Sequence, residues 1–131
     1  MKKITDDLKS NWKCAAPLYI DKSDERYEKY QQQLNARGFS DTETWNMDSV
    51  FSEFVLPRLI RFKEINNGFP FGTTAESWNE IIDKMIFAFN WSLNCEIKEN
   101  AFLTNKENDA NWEKYNEGIA LFAKHYRDLW W

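Results

Sequence analysis

An all-α fold follows from two features of this sequence. Four stretches carry apolar residues at three- and four-residue intervals, the spacing that stacks side chains on one face of a helix. No segment alternates apolar and polar residues with the period of two that a half-buried strand requires. The expected architecture is a single-domain helical bundle spanning residues 1–131, with four main helices, a short helix at the N-terminus and a proline-kinked central helix.

The elements follow in chain order. Ile4, Leu8 and Trp12 stand four apart and predict a short amphipathic helix over residues 2–16, ended by Pro17. Leu18, Tyr19 and Ile20 read as an extended connector. Ser23 is the N-cap candidate for a second helix, SDERYEKYQQQLNARG, with Tyr27, Tyr30 and Leu34 on one narrow stripe and Gly38 as its stop.

The central stretch, Phe39 to Gly68, opens with Ser40 and Glu43 in capping-box spacing. Met47, Phe51, Phe54, Leu59, Phe62 and Ile65 form its apolar face, and Asn66, Asn67 and Gly68 predict a left-handed stop. Pro57 removes one backbone donor and crowds the carbonyl of Glu53. Either the helix bends there or a second helix starts at the proline; burial of the flanking apolar residues favours the bend.

Phe69, Pro70, Phe71 and Gly72 have strong turn chemistry, and the two phenylalanines are expected to tuck beneath a helix. Thr73 and Glu76 read as another capping box. The helix it opens carries Trp78, Ile81, Ile82, Met85, Phe89 and Leu93 on one stripe. Phe87, Ala88 and Trp91 widen that stripe, as expected of a helix central to a core or interface. Residues 94–109 read as a loop anchored by Ala101, Phe102 and Leu103. The last helix, about Ala110 to Leu129, has a heptad-like seam of Trp112, Tyr115, Ile119, Phe122, Tyr126 and Leu129, with Gly118 placed for close helix approach.

Composition narrows the function classes. A formal net charge of -4 argues against nonspecific nucleic-acid binding, which needs cations to neutralise phosphates. No apolar run reaches the length of a membrane span, and residues 1–9 lack the apolar region of a signal peptide. Cys14 and Cys95 show no metal-ligand spacing and read as free thiols of a reducing cytoplasm. The outlier is aromatic content: 7 Trp, 5 Tyr and 10 Phe. Such an excess points to a homo-oligomer or a ligand-facing aromatic surface, with an unusually aromatic core as the plain alternative. The pair Trp130 and Trp131 is expected to dock, on the chain's own core or on a partner.

Catalytic chemistry finds little support. His125 is the single histidine and has Asp128 three residues on, but no nucleophile accompanies it. Glu76, Glu80 and Asp83 share a helix face without the Glu-x-x-His pairs of bundle di-metal sites. Nucleotide-binding, hydrolase and zinc motifs are absent. No catalytic residue, metal or cofactor is expected, and an enzymatic role is not favoured. The candidate ligand-binding residues are Arg58, Arg61 and Lys63, a basic cluster after Pro57, with Trp45 and Trp78 as stacking platforms. The plain alternative is a solvated cationic face paired with neighbouring acids.

The segment Arg37 to Pro70, RGFSDTETWNMDSVFSEFVLPRLIRFKEINNGFP, resembles a group of small tailed-phage and prophage proteins of unassigned function. Their shared pattern is RGxSDxxxWxxD, then LPRLxRFKE, a Gly-Pro turn and a helix like EIIDKM. Here it is carried by Arg37, Gly38, Ser40, Asp41, Trp45 and Asp48, by Leu56 to Leu59 and Arg61 to Glu64, and by Trp78 with Glu80 to Met85. The resemblance covers about residues 37–91. It implies a phage setting in the bacterial host cytoplasm and brings no ligand or catalytic residue. Two readings follow. In the first, an accessory protein sequesters an anionic, nucleotide-type small molecule against host defence. In the second, a protein-interaction module inhibits or adapts a host or phage protein.

Overall fold

The computed structural model describes residues 20–98 and 105–131, with side chains described for 20–94 and 106–131. The expected helix over residues 2–16, Cys14, the side chain of Cys95 and the apolar island at 101–103 lie outside the described residues. Within them the fold is all-α. There are four helices among the described residues, α1 (Tyr27–Arg37), α2 (Met47–Ile65), α3 (Ala75–Lys98) and α4 (Asn105–Lys124); a 3-10 turn at Asp41–Thr44 lies between α1 and α2, and another at Tyr126–Asp128 follows α4. The chain divides into two compact units, and the division falls between Phe54 and Val55, inside α2.

In the first unit α1 starts later than expected. Ser23 does not cap it; its amide and hydroxyl both donate to Asp21 Oδ1, at 3.0 and 3.2 Å. The N-cap position is Arg26, which has no side-chain cap; just before the helix, Asp24 accepts from the Arg26 amide at 2.8 Å and from Nε and Nη2 of its guanidinium at 3.0 and 2.9 Å. The helix ends as predicted at Gly38, whose left-handed backbone (φ 85) lets its N–H donate to the Leu34 carbonyl.

Glu43 accepts a hydrogen bond from the Ser40 amide at 2.8 Å, as the capping-box spacing predicts. The box opens a single 3-10 turn rather than the long central helix, which begins only at Met47. Arg37, Gln33 and Asp41 tie this turn back to α1. The Gln33 amide donates to Asp41 Oδ2 at 2.9 Å and its carbonyl accepts from the Asp41 amide at 2.8 Å. Trp45 stands edge-on to Tyr30, ring centroids 5.8 Å apart, with the Arg26 guanidinium 5.9 Å from the indole. Gly38, Ser40, Asp41 and Trp45, which carry the first part of the resemblance, thus have local structural tasks.

Helix α2 runs through Pro57 as one helix, so no second helix begins there. Its end departs from the expected left-handed stop, because neither Asn66, Asn67 nor Gly68 has positive φ. The Asn66 side chain does the work. Its amide donates to the Gly68 carbonyl at 2.8 Å and its oxygen accepts from the Gly68 amide at 3.3 Å, an Asx turn that competes with further helix.

The cap of α3 sits one residue beyond the expected place. Thr74 and Ser77 bond reciprocally: Ser77 N–H to Thr74 Oγ1 at 3.1 Å, and Thr74 N–H to Ser77 Oγ at 2.8 Å. Thr73 instead donates its hydroxyl to the Pro70 carbonyl at 2.7 Å, closing the turn. Residues 94–98 and 105–109, expected as loop, continue α3 and begin α4.

Burial in the second unit centres on α3. Trp78, Ile82, Met85 and Phe89, all on the predicted stripe, form the core with Val55 and Leu59. Ile119, Phe122 and Leu129 pack against it, and Phe122 meets Phe89 edge-on at 5.0 Å. The seam works because Gly118 has no side chain. A Cβ there would collide with the backbone of Lys84 and stand 2.6 Å from the Ala88 Cβ. The last helix stops at Lys124, so Tyr126 and Leu129 follow it in a tighter turn, and Tyr126 is exposed.

Candidate functional site

A concave feature of the second unit lies where the end of α2 meets the residues after α4. Asn66 to Pro70 form one wall. Asp128, Trp130 and Trp131 form another, and Trp78 lies at the floor; the cleft measures about 210 Å³. Local bonds set each wall. The Asx turn at Asn66 carries the chain into Phe69 and Pro70. Opposite, the Asp128 amide donates to the His125 carbonyl and the Trp130 amide to the Asp128 carbonyl, both at 2.9 Å, which turns the indoles outward.

His125 holds the floor. It is buried, its ring stands 5.3 Å from the Trp78 ring, and its Nδ1 lies 3.0 Å from Asp128 Oδ2. The expected His125–Asp128 pairing therefore exists, and its surroundings are indole rather than nucleophile. Around this floor the aromatics are open to solvent: Phe69 is 56% exposed, Trp130 75% and Trp131 66%. Phe69 and Phe71, expected from the sequence to tuck beneath a helix, do not do so; Phe71 is fully exposed. The turn is closed by backbone and Thr73, so neither ring is drawn inward to hold it.

The candidate residues named from sequence occupy different settings. Trp45 belongs to the first unit, where it packs on Tyr30. Arg58, Arg61, Lys63 and Trp78 belong to the second. Arg61 pairs with Glu64 at 3.0 Å, and Lys63 reaches α3 to pair with Asp83 at 2.6 Å. Between them Phe62 points inward and meets Trp78 edge-on at 6.5 Å. At about 100° per residue, Arg61 and Lys63 stand about 160° apart around the helix axis. Partial burial pushes the Arg58 guanidinium below its ordinary value. Trp78 is 1% exposed, so what remains of its surface only borders the cleft.

The cleft itself was only half legible. The Trp-Trp pair and the Phe-Pro-Phe turn were visible as aromatic clusters, but nothing in the spacing joined them. Among the described residues no group of three or more His, Cys, Asp or Glu stands where it could hold a metal ion, and no helix is long and apolar enough to cross a membrane.

The fold and cleft together define an all-α protein with an aromatic-walled surface site. No family model matches the chain, and no solved structure matches it. An F-box/kelch-repeat protein of Arabidopsis thaliana is 34% identical to it over 67 residues. That stretch is 51% of this chain and 16% of the plant protein, too small a share to establish a family.

Proposed function

We propose that this chain is a non-enzymatic protein-interaction module and that the cleft bounded by Phe69, Trp130 and Trp131 is its docking site. The observation that carries this reading is the gathering of three exposed aromatic rings around one buried indole within a single unit. Monomeric proteins rarely leave large apolar groups clustered in water, and indole side chains are over-represented among residues that dominate binding energy. The resemblance of residues 37–91 to tailed-phage proteins supports a host or phage protein as the partner, met in the bacterial cytoplasm. Self-association through the same cleft is the homo-oligomeric form of this reading.

The experiment is capture from host lysate by the full chain and by a Trp130→Ala/Trp131→Ala variant, followed by binding of the purified captured protein to both. At least a tenfold weaker interaction for the variant is expected. Equal binding by both proteins removes the cleft from the interface.

The anion-binding reading ranks second. It draws on the partly desolvated Arg58 guanidinium, since a cation shielded from water attracts an anion more strongly. An anion gripped by Arg61 or Lys63 as well must displace Glu64 or Asp83. Thermal shift against a panel of nucleotides tests it: a tight binder raises the melting temperature, and a flat panel discards the idea.

A further inference from the structure

We infer that the cleft is built for a cation, and specifically for the guanidinium of an arginine carried on a segment of the partner protein; this rests on the docking reading above. Among the described residues that line it, Asp128 is the sole charged one, and it is an acid; none of them is a lysine or arginine. The other groups are the rings of Phe69, Trp78, Trp130 and Trp131, Pro70, Gly68 and the amides of Asn66 and Asn67. Aromatic faces are electron-rich, and indole attracts cations best of the common side chains. An anion entering here meets the Asp128 carboxylate and, among the described lining residues, no cationic side chain to offset it.

Three features favour arginine. Its planar fork can lie on an indole while its N–H groups reach a carboxylate, which a point-charge ammonium does less well. Asp128 is held by His125 through Oδ2 and keeps 40% of its side-chain surface in solvent, so it is both oriented and reachable. A volume of about 210 Å³ is below the roughly 300–1,000 Å³ of pockets for drug-sized ligands and suits one inserted side chain. The chain's net charge of -4 would also speed encounter with a basic segment. Another hollow, between α3 and α4, fits the role less well. Lys84 there is already joined to Glu117 at 2.7 Å, and Lys114 lies over Phe87.

The test is an NMR titration of the 15N-labelled full chain, with the indole N–H signals of Trp130 and Trp131 assigned from their Phe substitutions. The probes are three capped tripeptides, Gly-Arg-Gly, Gly-citrulline-Gly and Gly-Phe-Gly. The arginine peptide should move both signals, with the uncharged citrulline peptide at least tenfold weaker. Asp128→Asn should reduce arginine binding about tenfold, and Trp131→Ala, at an exposed position, should reduce it with unchanged helicity. Equal responses to arginine and citrulline, or full arginine binding by both variants, overturn the inference. A response to the phenylalanine peptide alone overturns it too but leaves the docking reading standing. Silence from all three overturns it, while the docking reading is then judged by the capture experiment.

Discussion

Gly118 of α4 lies directly against the backbone of Lys84 in α3, so closely that the two helices meet with no side chain between them. Replacing a helical glycine by alanine would ordinarily gain up to about 1 kcal/mol of helix propensity. Here the added methyl strikes a carbonyl and the Ala88 Cβ, and overpacking typically costs about 1–3 kcal/mol. Gly118→Ala is therefore expected to lower stability by about 1–2 kcal/mol in urea denaturation. A variant as stable as the parent would show that the helices can separate freely.

Trp78 and Trp130 border the same cleft but differ in burial, 1% against 75% exposed. Trp78→Ala removes a core indole and should cost about 3–5 kcal/mol. Trp130→Ala should change stability by less than about 0.5 kcal/mol, as surface substitutions do. Thermal melts of the two variants separate floor from rim; similar losses would mean that Trp130 is a core residue.

Thr74, not Thr73, caps α3. Thr74→Ala should cost about 1 kcal/mol, the usual loss on removing an N-cap hydroxyl. Thr73→Ala should leave the capping interaction intact. Chemical denaturation of both reads the difference, and the reverse order of losses would restore the cap to Thr73.

Gly38 and Gly72 have φ of 85, whereas Gly68 lies outside the left-handed region and has open space where a Cβ would stand. Alanine at Gly38 or Gly72 should cost about 1–2 kcal/mol, the penalty for an L-residue in that conformation. Gly68→Ala should be neutral or slightly stabilising through the unfolded chain. A large loss at Gly68 would contradict the Asx-turn account of how α2 ends.

Acid should weaken the first unit. Hydrogen bonds and charge from Arg26 hold the Asp24 carboxyl down to about 2, and Arg37 with Gln33 lowers Asp41. A carboxyl depressed in the folded state binds fewer protons than in the unfolded chain. Its contribution is therefore present above the usual carboxylate range and lost as pH falls through the folded value. Stability should drop between about pH 4 and pH 2, modestly because these groups are solvent-exposed and screened. Asp41→Asn should flatten part of that slope in melts across this window; an unchanged profile would exclude the Arg37–Asp41 pair as a contributor.

Much of this architecture could be read from local spacing. The stripe Trp78, Ile82, Met85 and Phe89 became the core of the second unit, and Gly38 and Gly118 did what a glycine at those positions predicts. These are properties of a few neighbouring residues, set by helical pitch and by the lack of a Cβ, so they survive without knowledge of what lies opposite. The fate of Phe69, Phe71, Trp130 and His125 is of another kind. Whether a ring is covered depends on which distant segment arrives beside it, and no periodicity encodes that arrival. The choice between Thr73 and Thr74 as a cap turned on one competing bond to Pro70, a balance that only the folded turn resolves.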